Sequence, residues 1–275
     1  LLHLLALLWM FVFAGYELFG HSKPMDLSLF LLAYLVYTVV GSWLVGTQVF
    51  HQKACFFTLY FELLARCGAS LRNMLGRRAS AQPNLLTPLH NAVPALFIVA
   101  LFSTTALDGL LDTEYWYRTI WPQFVQGYCT LFRPELLQHV SNPLLMAQEF
   151  GDSFRSFEKW MLLALPLLSV LVFLLTLQIT QWLTHSRLPL LHLAQAFAPT
   201  LIPIVLAYSF SHYFTLLLTQ GVQVLHLLSD PMGRGWNLVG TLNLWRAPVL
   251  LDAQLIWSIQ VGSILIGHVF STVQS

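Results

Sequence analysis

The sequence predicts an all-helical bundle that crosses a lipid bilayer about six times, and three observations predict it. Of 275 residues, 57% are hydrophobic and 9% charged, against roughly a quarter charged in an ordinary soluble domain. Apolar runs of the roughly 20 residues that a helix needs to cross a bilayer recur along the whole chain, so the membrane part is not one anchor beside a soluble domain. Those runs, LLALPLLSVLVFLLTLQI among them, lack the apolar and polar alternation of barrel strands. Residues 1–275 therefore read as a single transmembrane domain.

The opening run, LLHLLALLWMFVFAG, lacks the basic leader and small-residue cleavage site of a signal peptide, and is expected to be a span of a chain truncated before Leu1. Hydropathy and helix stop signals put the spans at about 1–20, 28–50, 87–107, 160–182, 191–228 and 252–273. The segment 54–66, ACFFTLYFELLAR, is expected to be an interfacial helix or a continuation of span two. Span five is too long for one upright crossing, and Pro199 and Pro203 are expected to kink it. The loop 108–159 is too long for a simple connector. It reads as one or two interfacial helices or a lid, with Trp116, Tyr117 and Trp121 of EYWYRTIWPQF as bilayer-belt rings or ligand contacts.

Charge sets the orientation. Lys53, Arg66, Arg72, Arg77 and Arg78 follow span two and Arg187 follows span four, whereas the opposite loops hold most of the acids. By the bias of Lys and Arg toward the cytoplasm, both termini are cytoplasmic and loops 108–159 and 229–251 face outward, into the periplasm for a bacterial inner membrane. A net charge of +1 with no basic stripe excludes nucleic acid as a partner. Cys55, Cys67 and Cys129 have no CxxC spacing and read as small apolar residues of the bundle.

Span five breaks the apolar pattern. In YSFSHYFTLLLTQGVQVLH, the residues Tyr208, His212, Thr215, Thr219 and Gln223 recur at helical spacing and form a polar stripe. Hydrocarbon offers such groups no partners, so the stripe is expected to face span six or a wet cavity. Span six offers Trp257 and His268, which share a face, and Gln260 near its margin. Counted from the intervening loop, His212 and His268 are each 16 residues deep and Gln220 and Gln260 each eight, which predicts two level tiers. At the α-helical rise the tiers lie on the order of 12 and 24 Å from the loop.

Three chemistries fit this pattern. The imidazoles of His212 and His268 could be packing groups satisfied by Gln, Thr or Tyr. They could bind a proton, a divalent metal or a haem iron, with Tyr208, His226, His3 or Glu17 as a further ligand. They could act directly in catalysis. Ser211 and His212 point about 100° apart on a helix and are not a nucleophile and its base, and no GxSxG, HExxH or phosphate-binding glycine loop occurs. The loop LLSDPMGRGWNLVGT reads as a built turn. There Asp230 and Arg234 pair with each other or touch a headgroup or substrate, and Trp236 is an interface ring.

FAPTLIPIVLAYSFSHYFTLLLTQG, LLSDPMGRGWNLVGT and WSIQVGSILIGHV together resemble the C-terminal half of the bacterial integral membrane proteins of the fenitrothion hydrolase family. The family pattern is similar to APxLxPIxLAYHxAHYxxxLLxQGQ, SDPxGxGWxLFGT and WxxQxxxIxxGH, and the likeness is specific over about 195–270. This chain has Ser209 at the first histidine of AYHxAHY. The resemblance implies hydrolysis of a lipophilic, organophosphate-type ester that enters from the bilayer. His212 and His268 would then be catalytic groups or metal ligands, Tyr208, Gln220, Gln260, Asp230, Trp236 and Trp257 would contact substrate, and the loop after span five would frame the mouth. The alternative is a membrane subunit of a respiratory, metal-handling or transport system, serving a membrane or periplasmic protein partner.

Overall fold

In the computed structural model, residues 2–20, 24–76, 88–89, 92–135, 143–242 and 251–274 are described. Ten α-helices cover most of them: α1 (Leu2–Phe19), α2 (Pro24–Val45), α3 (Thr47–Lys53), α4 (Phe56–Met74), α5 (Ala92–Leu111), α6 (Trp121–Phe132), α7 (Pro143–Leu183), α8 (Leu190–Phe197), α9 (Ile202–Ser229) and α10 (Ala253–Gln274). There is no strand among the described residues. The protein is an all-α, multi-pass bundle: among the described residues six helical stretches are long and apolar enough to cross a membrane, and α3 with α4, bent by 65°, would make a seventh.

The chain divides into two compact units, Leu1–Ile202 and Pro203–Ser275. In the first, α5 is the central rod, burying Phe97, Ile98, Val99 and Leu107 and packing against α1, α7 and α8. Beside it, α1 to α4 meet through rings: Trp9 lies edge-on to Tyr34 at 4.8 Å and Tyr16 stacks on Phe30 at 4.5 Å. Cys55 and Cys129 are buried and Cys67 is half-buried, and all three are free, as packing residues of the bundle would be.

Two elements depart from the spans expected. The fourth expected span, 160–182, is only the second half of α7, a helix of 41 residues and on the order of 60 Å. Its first half carries Glu149, Asp152, Arg155, Glu158 and Lys159 and is the last third of what reads in sequence as the long outer loop. A π-helical turn at Trp116–Ile120 leads into α6, which packs on this charged half. Trp116 is 4% exposed, with its Nε1 donating to Glu158 Oε1 at 2.8 Å, and Trp121 lies edge-on to Phe154 at 4.5 Å. Those two rings form a packed core instead of a belt, while Tyr117 stays exposed. Span five is broken where Pro199 predicts: α8 ends at Phe197 and a 3-10 turn, Ala198–Leu201, separates it from α9.

Candidate functional site

All eight candidate site residues fall in the second unit, on α9, the loop after it, and α10. The two helices are antiparallel and meet through small residues. A methyl group at Gly267 would come within 2.5 Å of Ala207 Cβ and 2.9 Å of the Pro203 carbonyl oxygen, so only glycine lets the backbones approach this closely. One turn of α9 further on, Ser211 and Gln260 clasp each other. The Gln260 side-chain amide donates to the Ser211 carbonyl at 2.8 Å. The Ser211 hydroxyl lies 2.9 Å from both the Gln260 and the Ala207 carbonyl oxygens, with the Ser263 hydroxyl 3.3 Å away.

These contacts fix the register, and it differs from the one expected. With Ser211 opposite Gln260 and Ser263, and Ala207 opposite Gly267, His212 stands level with about residue 260 and His268 with about residue 204. The two imidazoles are offset by about eight residues, roughly 12 Å along the hairpin. Gln220 is displaced from Gln260 by the same amount, so neither tier forms. Equal counting from the loop fails because α9 runs to Ser229, roughly ten residues past the level at which α10 begins.

The stripe is also turned away from α10. Successive helix residues are rotated by about 100°, so Pro203, Ala207 and Ser211 form the face that meets α10, and Tyr208, His212, Thr215, Thr219 and Gln223 lie about 120° around the helix from it. His212 is half-buried with its ring edge-on to Tyr213, centroids 4.8 Å apart, and the Thr219 hydroxyl donates to the Thr215 carbonyl of its own helix at 2.9 Å. Tyr208 is half-buried on the same stripe. The groups that join the helices, Ser211, Ser263 and Gly267, are signalled in the sequence by the paired small residues of A207xxxS211 and S263xxxG267, which hydropathy does not weigh.

His268 and Trp257 share an exposed face of α10, as their spacing of eleven predicts. His268 Nδ1 lies 2.8 Å from the Ile264 carbonyl oxygen one turn back. A carbonyl can only accept, so Nδ1 carries the proton and a neutral ring presents its Nε2 lone pair on the far side, away from its own helix.

The loop is built around Asp230. Its buried carboxylate does not pair with the Arg234 guanidinium: Oδ1 accepts the backbone N–H of Arg234 at 2.8 Å and Oδ2 that of Gly235 at 2.6 Å. Burial works to raise the pKa of this group. The backbone N–H groups of Arg234, Gly235 and Trp236 outweigh that effect, helped by the nearby His226, and hold Asp230 below the usual carboxylate range. Gly233 and Gly235 take φ of 65° and 77°, a region that favours glycine. The Arg234 guanidinium instead lies 5.6 Å from the centre of the Trp236 ring. Ser229, Thr241 and His226 close the loop onto the end of α9: the Ser229 hydroxyl accepts the Thr241 N–H at 3.0 Å, and His226 Nδ1 donates to the Leu242 carbonyl at 3.0 Å. Asp230 is thereby occupied as a turn-forming group.

Among the described residues no three His, Cys, Asp or Glu side chains come together in a way that could hold a metal ion. Compared with models of protein families, with curated proteins and with solved structures, the chain matches none.

Proposed function

We propose that this chain is a membrane subunit that lends His268 as an imidazole ligand to a haem or metal ion whose remaining ligands come from a partner protein. The observation that carries the reading is the Nδ1–H bond from His268 to Ile264, which pins the ring and leaves Nε2 as an outward-facing lone pair on an exposed helix face. A structural histidine in hydrocarbon would be expected to use both ring nitrogens. A metal ion on His268 would need ligands from outside the described residues, among which no three His, Cys, Asp or Glu side chains come together. In a bacterial inner membrane, the basic residues after spans two and four support cytoplasmic termini.

The test is an optical spectrum and metal analysis of the protein purified with whatever stays bound to it, alongside His268→Ala. A haem band or stoichiometric metal that is lost with His268→Ala supports the reading. A bound group that survives the substitution sinks it, as does wild-type protein carrying neither group.

A second reading, a hydrolase of lipophilic organophosphate-type esters, rests on the resemblance over about 195–270 and on His212, a half-buried imidazole level with Gln260 at mid-helix of α10. There His212 would be the base, with Tyr208 lining the approach. Esterase activity lost on His212→Ala and kept on His268→Ala would favour it over the first reading.

A further inference from the structure

The third face of α9, distinct from the one that meets α10 and from the polar stripe, has a regular pattern. Tyr213, Leu217, Gln220, Val224 and Leu227 follow one another at spacings of four, three, four and three, the repeat with which one helix winds against another. Tyr213, Leu217, Val224 and Leu227 are 38%, 61%, 54% and 56% exposed, and with Leu216, Gly221 and Gln223 at the edge of the polar stripe they line an open groove of about 440 Å³. In its middle the Gln220 amide, set between Leu217 and Val224, makes no hydrogen bond to any described residue.

We propose that this face is the seam of a homodimer, in which α9 packs in parallel against α9 of a second copy and the two Gln220 amides bond to each other. A single lipid chain would fill the groove but give the amide no partner. Copies of one chain share their orientation in a membrane, so a two-fold axis along the membrane normal brings identical residues to equal depth. Gln220 then meets Gln220 of the second copy, and a primary amide is its own complement, with both a donor and an acceptor. A polar residue at one seam position is also what fixes register between helices. Gly221 beside it, with no side chain, allows the close approach that such a bond requires.

Single cysteines placed along α9 of the full chain and oxidised in native membranes test the seam, with the chain carrying only its native cysteines as the control. Crosslinked dimer should follow the repeat, at least about five-fold higher at residues 213, 217, 220, 224 and 227 than for Thr215→Cys or Leu218→Cys on the other faces. Crosslinking without that period, none at any seam position, or a product with the mass of a different protein overturns the proposal. The unsubstituted chain provides a check free of folding defects: light scattering in mild detergent should give a protein mass of two chains, and a mass of one chain at every concentration overturns the proposal.

Discussion

Ser211 and Gln260 hold each other by reciprocal bonds, each side chain donating to the other's backbone carbonyl, at 2.9 Å from the hydroxyl and 2.8 Å from the amide. Each bond places a side-chain donor of one helix on a main-chain acceptor of the other, so the pair is sensitive to a slip of either helix by one residue. Together with Gly267 it makes α9 and α10 one packed hairpin, on which the loop and His268 are carried.

Gly267→Ala should therefore destabilise the hairpin, because the new methyl meets backbone at Pro203, which cannot yield as a flexible side chain can. The expected loss is about 1–3 kcal/mol, read as a fall in the unfolding midpoint of the protein in lipid nanodiscs. Gly262→Ala, where a Cβ would meet nothing within 4 Å, is the control and should change the midpoint little or raise it. Equal effects at the two glycines would refute the close approach.

The clasp itself is tested by a double-mutant cycle of Ser211→Ala and Gln260→Leu. Each single substitution should cost on the order of 1 kcal/mol, typical of interhelical bonds in membranes, and the double less than their sum. Strict additivity would mean that the two side chains do not act together.

Asp230 makes a pH prediction. Its folded-state pKa lies below the unfolded value, so the stability that it contributes is fully present above the unfolded carboxylate range and is lost as pH falls through the depressed folded value. Amide exchange at Arg234 and Gly235 should stay slow from neutral pH into the ordinary carboxylate range, once corrected for intrinsic rates. Their protection should fall only at lower pH. Asp230→Ala should remove the protection at both amides at all pH values, and Asp230→Asn, which keeps one acceptor, should keep part of it. Unchanged protection in Asp230→Ala would show that other contacts build the turn.

The parts of the fold that were legible in sequence are those that hydropathy writes. The first, third and sixth spans begin and end within a few residues of α1, α5 and α10, and Pro199 marks the break before α9. Register is not written in hydropathy, since sliding one apolar helix past another by two turns leaves the apolar content unchanged. What fixes it is the space left by Gly267 and the reach of Ser211 and Gln260, which are a few atoms in size. The turn chemistry of Asp230 and its glycines was legible, whereas the carboxylate's partners were not: the sequence offers a guanidinium four residues on, and the folded loop offers two nearer N–H groups that burial makes more valuable. The sequence leaves Trp116 as a belt ring or a ligand contact and does not reveal its packed position, because its polar partner, Glu158, lies 42 residues away.

That Trp116–Glu158 bond makes the last prediction. The indole N–H donates to a carboxylate at 2.8 Å inside a cluster of rings from α6 and α7, and it links the π-helical turn to the charged half of α7. Hydrogen bonds to charged groups contribute about 1.5–3 kcal/mol when partly shielded from water. Trp116→Phe keeps most of the ring packing and deletes the donor, leaving the carboxylate half-satisfied, while Glu158→Gln keeps an acceptor and removes the charge. Local unfolding of α6 should therefore become easier in the order wild type, Glu158→Gln, Trp116→Phe, measured as proteolysis at the exposed Leu131 and Phe132 end of α6. The six spans should stay folded in all three proteins. If Trp116→Phe leaves the proteolysis rate unchanged, the rings alone hold this hairpin together and the hydrogen bond contributes nothing to it.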